Sequence, residues 1–328
     1  MVAAVLDAPE VESPGAFAKS LPAHLLASGL NVNSLRTNTL LRKDEWELLD
    51  ARVIEIAANT LRGVADLRAA GLTVPLGGLG VLVSQYETVS DMTDASVNMA
   101  AEVDDEEDRI NYNMVGVPVP IISKSFRIDI RSLAASRQHG GLLDTTHVDT
   151  ATRKVAEMLE YILFNGSTIV QRGQVIYGYT NHPSRNTVSG GADWGTATNI
   201  IPNLTAMLGA LIADNMYGPY KLYVHPDQYV QTFALSASTS VPIIRTMETM
   251  PGMGPGSIQA TNYIPSGQAV LVAMNRDVVD LAIGQDILPV EWDTKGGLVT
   301  RWKVLCALVP RVKADAGGRS GLAHMSGI

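Results

Sequence analysis

Along residues 44–62, Trp46, Leu49, Val53, Ile56 and Leu61 recur at intervals of three, four, three and five, with Arg52, Glu55 and Asn59 on the opposite side. That spacing predicts an amphipathic helix. Asp44 and Glu47 stand at capping-box spacing before it, and Gly63 can end it. A second helix is predicted over 146–164. Val148, Ala151, Val155, Met158 and Ile162 form its stripe, and Leu159 and Leu163 widen it. Arg153, Lys154, Glu157 and Glu160 are expected to face away. Thr145 or Thr146 can cap this helix, and Asn165-Gly166 supplies the stop. Elsewhere the period changes to two. Phe126, Ile128 and Ile130 alternate with Arg127, Asp129 and Arg131, the pattern of a half-exposed strand. Pro118 and Pro120 precede it and imply an edge or unpaired stretch.

Two extended pieces, Val81 to Val89 and Val115 to Ile130, flank a strongly acidic run, Glu102, Asp104, Asp105, Glu106, Glu107 and Asp108, which Arg109 closes. Between Leu76 and Ile130 ten acids stand against three bases, so this segment holds −7 of a chain total of −8. Two long extended segments joined by a charged tip predict a projecting hairpin. A lone hairpin has too little core to stand by itself, so it needs another surface, such as a neighbouring subunit's. Residues 1–38, mixed in Pro, Gly and small side chains, read as an arm without a core of its own. From 167 to 310 helical and extended pieces alternate: helices at Ile200–Met216 and Asp227–Leu235, strands at Lys221–Val224, Ala269–Ala273, Val278–Ile283 and Val299–Val309. Met247 to Gly256 reads as a loop, with Met247, Met250 and Met253 as a soft contact surface. The fold class is α+β, without a fixed repeat or regular βαβ alternation.

Composition narrows the function. Over 328 residues the charged share is only 18% against 46% hydrophobic. Self-association is the cheapest cover for such a surface. The net charge of −8 gives no basic excess for sequence-specific reading of nucleic acid. The first fourteen residues carry acids and no Lys or Arg, and no apolar run is long enough to span a membrane, so synthesis and folding in the cytoplasm are expected. The lone Cys306 excludes a disulfide framework.

The candidate chemistry is thin. Phosphate-loop, nucleophile-elbow and His-Glu-x-x-His motifs are absent from the sequence. His139, Asp144, His147 and Asp149 cluster in sequence, but their spacing fits helix-start carboxylates better than a metal site. The acidic run lacks the pattern of a calcium loop. It reads as a solvated tip or as a contact for basic residues of a neighbour, with Arg52, Arg62, Arg68 and Arg137 as candidates. His182-Pro and His225-Pro read as turns capped by histidine, and Cys306 as a buried small hydrophobe. No catalytic residue, metal or cofactor is expected, and the chain reads as a self-associating structural protein.

This order of parts resembles the shell proteins of tailed phages and encapsulins, the HK97-like capsid fold named after phage Hong Kong 97. The stretches that carry the resemblance are Leu41-Arg-Lys-Asp-Glu-Trp-Glu-Leu-Leu-Asp-Ala-Arg52, Thr152-Arg-Lys-Val-Ala-Glu-Met-Leu-Glu160 with Ile162-Leu-Phe-Asn-Gly166, Ile176-Tyr-Gly-Tyr-Thr-Asn-His-Pro183, Gly218-Pro-Tyr-Lys-Leu-Tyr-Val224 and Ile283-Gly-Gln-Asp286. The resemblance implies an N-terminal arm over 1–40 and an N-terminal helix region over 41–75. It further implies an extended loop over 76–130, a peripheral domain over 131–174 and 276–328 with a spine helix, and an axial domain over 175–275. It implies hexamers and pentamers closing an icosahedral shell. With the arm, the expected function is the major capsid protein of a tailed bacteriophage virion. Its expected partners are a portal protein, separate scaffolding and decoration proteins and packaged double-stranded DNA, with no membrane. The alternative is an encapsulin nanocompartment holding an enzyme cargo. Lys124 is the only lysine between Leu76 and Ile130, so the lysine–asparagine crosslink of the fold's namesake is not expected.

Overall fold

The computed structural model describes residues 43–93, 95, 97, 109–129, 146–189, 191–236, 240–294 and 299–328. The N-terminal part runs α1 (Lys43–Thr60), α2 (Gly63–Ala69), β1 (Thr73–Pro75), β2 (Val83–Val89), β3 (Tyr112–Pro118), β4 (Ile122–Asp129) and α3 (Thr146–Asn165). The middle part runs β5 (Ser167–Gln171), β6 (Gln174–Ile176), β7 (Asn186–Val188), α4 (Ile200–Ala213), β8 (Tyr220–Val224), α5 (Pro226–Gln231), α6 (Ile243–Glu248) and β9 (Ile258–Ala260). The chain closes through β10 (Gln268–Ala273), β11 (Val279–Thr294), β12 (Val299–Val312) and β13 (Leu322–Ser326).

Two sheets carry the body. One is ordered β1-β11-β12-β4, the other β7-β13-β10-β8-β9, and β2–β3 and β5–β6 are separate two-stranded ribbons. One hydrophobic core links both sheets, from Val64, Leu67, Leu159 and Phe164 to Leu222, Val270, Leu281 and Val309. A smaller cluster of Leu49, Val53, Val148 and Trp302, joined by Phe126 and Ile128, holds α1, α3, β4 and β12 together. Apolar residues at helical spacing on α1 and at alternate positions on β4 meet there, as the periods predicted.

Helix α3 spans about 30 Å and ends as its sequence implies. Gly166 takes φ +69° directly after Asn165, the left-handed conformation that glycine reaches without strain. Gly178 lies against the same helix end, where a Cβ would strike the Phe164 carbonyl at 2.6 Å.

Several expectations are corrected. Helix α1 already includes Asp44, so that residue lies inside the helix and is not its N-cap. Gly63 does not end α1: the helix stops at Thr60, and Gly63 opens α2. On α3 the apolar stripe turns away from Met158, which is 44% exposed, while Glu160 is 1% exposed and faces inward. The expected returning strand of the hairpin divides. Tyr112–Pro118 pairs with β2, whereas Ile122–Asp129 is the edge strand of the first sheet, paired with β12. Lys124 therefore lies on the body opposite Val304, off the hairpin. Strand β11 continues to Thr294, well past Ile283. Register irregularities on either side of Gln285, which pairs with Ala307, carry the strand to Leu288, where regular pairing resumes opposite Leu305. Met247 and Glu248 belong to α6 and not to a loop.

Candidate assembly surface

The ribbon β2–β3 keeps full register from Val83↔Pro118 to Val89↔Tyr112. Its burial changes along its length. Ser84, Val117 and Val119 are buried at the root, while Val89, Tyr112 and Met114 are exposed towards the tip. Met92, just beyond β2, is exposed too. Apolar side chains thus gather on the half of the ribbon that the body does not cover.

The root is held by a polar clamp. Arg311 on β12 donates from Nε and Nη2 to the two carboxylate oxygens of Asp280 on β11, at 2.6 Å each. Its Nη1 donates to the Ser84 hydroxyl at 3.0 Å. Lys313 pairs with Asp280 at 2.6 Å. The Tyr86 ring lies against both cations, and its hydroxyl donates to the Val312 carbonyl at 3.3 Å. Burial raises the Tyr86 phenol, partly offset by Arg311. Asp280 and Arg311 are nearly fully buried, where an ion pair is kept only with good geometry and satisfied donors. The ribbon also rests on β6. A Cβ at Gly116 would meet Gln174 Cγ at 3.1 Å, so glycine sets that close approach.

A second ionic group fixes α2. Glu160 on α3 accepts the Val64 amide at 3.0 Å and the Gly63 amide at 3.3 Å. Gly63 permits this seat, because a Cβ there would meet Leu163 Cδ2 at 2.6 Å. Asp66 accepts from Lys221 at 3.0 Å and from the Tyr223 hydroxyl at 2.8 Å, tying α2 to β8. Arg68 makes a two-pronged bond to Asp286 on β11, at 2.9 and 2.7 Å.

This arrangement of long helix, two sheets and projecting ribbon matches known proteins. A family model described as Linocin_M18, encapsulating protein for peroxidase, matches residues 33–295. The chain belongs to the Linocin_M18 family. The type 1 encapsulin shell protein EncA of Myxococcus xanthus (strain DK1622) is 25% identical over 250 residues, covering 76% of this chain and 82% of that protein. The virus-like particle of Pyrococcus furiosus superposes with a TM-score of 0.60 at 15% identity, over 86% of this chain and 99% of that one. The capsid of Myoviridae phage XM1 also gives 0.60, at 12% identity, over 81% and 92%. The fold is the HK97-like capsid fold, and this Linocin_M18 member is a self-assembling structural shell protein.

Glu102, Asp104, Asp105, Glu106, Glu107 and Asp108 lie outside the described residues, and Arg109 is exposed ahead of β3. Met247 has no exposed surface and belongs to the core, with Met250 and Met253 packed partly buried against it. The soft methionine surface is therefore smaller than expected. Met253 lines a cleft of about 640 Å³ with Tyr217 and Ile212. The basic residues considered as partners for the acidic tip are already engaged at two positions. Arg52 bonds Glu55 at 2.7 Å and Asp149 at 3.3 Å, and Arg68 holds Asp286. Arg137, His139 and Asp144 lie outside the described residues. His147 stacks on Phe126. Among the described residues no group of three or more His, Cys, Asp or Glu could hold a metal ion, and no helix is long and apolar enough to cross a membrane. Cys306 is buried, and burial pushes its thiol up to about 12. His225 and His182 cap their turns, accepting the Asp227 and Ser184 amides at 3.3 and 3.2 Å.

Sequence reasoning missed Glu160 and the Arg311–Asp280 clamp. The sequence pattern groups Glu160 with the charged residues Arg153, Lys154 and Glu157 on the outward face. The signal available was its place one residue after Leu159 and three before Leu163, at the margin of the apolar stripe.

Proposed function

We propose that this chain is the shell subunit of a closed nanocompartment that encloses a protein cargo. The observation that carries this reading is the likeness to the EncA shell protein over 76% of the chain. The sequence alone favoured the head of a tailed phage. Likeness to phage capsids at 12% identity carries the fold and not the contents, so the encapsulin reading takes precedence. In the assembled state the ribbon β2–β3 lies on a neighbouring subunit and covers Val89, Tyr112 and Met114. Residues 175–275 form the axial domain, facing the centre of hexamers or pentamers. The assembly takes place in the cytoplasm.

The test is electron microscopy of particles from the native source, combined with mass spectrometry and nucleic-acid assay of their contents. Closed shells that release a second protein species and little nucleic acid support the reading. Shells filled with double-stranded DNA and fitted with a portal, with or without scaffolding and decoration proteins, overturn it in favour of a phage head.

A further inference from the structure

Helices α1 and α2 are separated by a break at Leu61 and Arg62, and the side chain that seats the break comes from α3. Glu160 accepts the amides of Gly63 and Val64. Two adjacent backbone donors converge on one carboxyl inside the core, which is 1% exposed. Helix α2 in turn reaches three other elements. Asp66 binds Lys221 and Tyr223 on β8, Arg68 binds Asp286 on β11, and Leu67 joins the main core. A shift of α2 would therefore be transmitted to α1 on one side and to both sheets on the other.

The groups around Glu160 disfavour its charge. Asp66, on α2, is an anion facing it, and Lys221 on β8 is occupied in pairing with that anion. Tyr223 on β8 and Tyr179 after β6 face it as neutral phenols held well above their ordinary range by burial. The Tyr179 hydroxyl is buried with no hydrogen-bond partner. Tyr263 also faces Glu160 and Glu157, the latter on α3 itself. Arg68, the other cation of α2, is bonded to Asp286.

We propose that Glu160 is a proton-operated latch on the α1–α2 hinge, closed when the carboxyl is neutral and loosened when it is ionised. Burial, with Asp66 as a smaller contributor, pushes the Glu160 carboxyl up to about 7 in the closed hinge. An open hinge hydrates the carboxyl and returns it to the ordinary range near 4.3. The closed state then holds the proton more tightly, so by linkage opening is favoured as the pH rises through that interval. The bonds from Gly63 and Val64 act in the opposite direction and limit the effect. The inference concerns the subunit and holds for any cargo.

The test is hydrogen exchange at the Gly63 and Val64 amides of the full chain from pH 5 to pH 8, normalised to the intrinsic exchange rate. The opening constant should rise by tens of fold across that range, the size set by the roughly two units between pH 5 and the closed-hinge carboxyl at about 7. Glu160→Gln should remove the dependence. Asp66→Asn, which deletes the facing anion, should move the midpoint to lower pH. A flat wild-type profile overturns the latch whether or not the Gln variant folds. So does a dependence that survives in E160Q, or a midpoint that Asp66→Asn leaves unmoved.

Discussion

Arg311 and Asp280 face each other across neighbouring strands in direct register, and their two parallel 2.6 Å bonds close a fork over the root of the projecting ribbon. The pair does two things. It neutralises charge inside the sheet, and it leaves one guanidinium nitrogen to hold Ser84 on β2. Position and direction of the ribbon therefore depend on a buried ion pair on β11 and β12.

Arg311→Met should destabilise the subunit by about 3–5 kcal/mol, because it leaves a buried carboxylate short of its main partner. Lys313, at 2.6 Å from Asp280, lowers that cost by keeping one cation in place. The double variant Arg311→Met with Asp280→Leu should recover part of the loss, since no buried carboxylate is then left unpaired, while Lys313 keeps the Arg276 carbonyl at 2.8 Å as its acceptor. Chemical denaturation of dissociated subunits checks both values. Equal losses in the single and double variants would show that shape, and not charge, holds the root.

Gly63→Ala should cost about 1–3 kcal/mol as an overpacking change. The new Cβ would lie 2.6 Å from Leu163 Cδ2 and 3.2 Å from Phe164 Cζ. Leu163→Ala in the same chain should relieve the clash, so the double variant should lose less than the two single losses combined. Thermal unfolding of the four proteins measures the coupling. Strict additivity would place the strain elsewhere.

Much of this was legible in the chain. The apolar spacing of α1 and α3 and the alternation at Phe126 and Ile128 specify surfaces that must meet, and they do meet around Trp302. The Asn165-Gly166 stop was legible because only a glycine-type conformation ends a helix in that way. What stayed hidden depends on partners distant in sequence. Nothing near Glu160 announces that its acceptors will be filled by Gly63 and Val64, nearly a hundred residues earlier. Asp280 and Arg311 look like exposed charges until β11 and β12 align them. Strand β11 runs past the expected end at Ile283 because an irregular register carries it through Gly284 and on to Pro289. Met247 was misplaced because a run of Met, Gly and Pro hid the one turn of helix that buries it.

Tyr112→Ser with Met114→Ser should prevent closed shells while leaving the subunit folded. Both side chains are more than half exposed on a ribbon whose root alone is buried. Each large apolar side chain buried at a subunit contact contributes about 1.5–3 kcal/mol, and the loss recurs at every copy. Circular dichroism should be unchanged, and sedimentation should shift from particles to small oligomers. Normal particles from this variant would mean that the ribbon is not a contact surface.

His182 supplies a pH test that runs opposite to that of Glu160. Burial, then the Arg185 cation, lowers the His182 imidazole to about 4 in the folded chain. Its Nδ1 accepts the Ser184 amide at 3.2 Å, a role only an unprotonated nitrogen can fill. The unfolded chain binds the proton near 6.5. Between about 6.5 and about 4 the unfolded state therefore holds more protons, and stability falls as the pH drops through that window. Glu160 has its carboxyl raised to about 7, so it adds stability below the unfolded carboxylate range and loses it as the pH rises towards 7. His182→Asn keeps an acceptor near the Nδ1 position and removes the titration. It should flatten the acid loss by on the order of 2 kcal/mol by pH 4, while E160Q should remove the opposite slope. Denaturant midpoints measured from pH 4 to pH 8 separate the two. If His182→Asn leaves the acid limb as steep as in the wild type, the imidazole is already hydrated in the native shell and the turn at His182 is open to solvent.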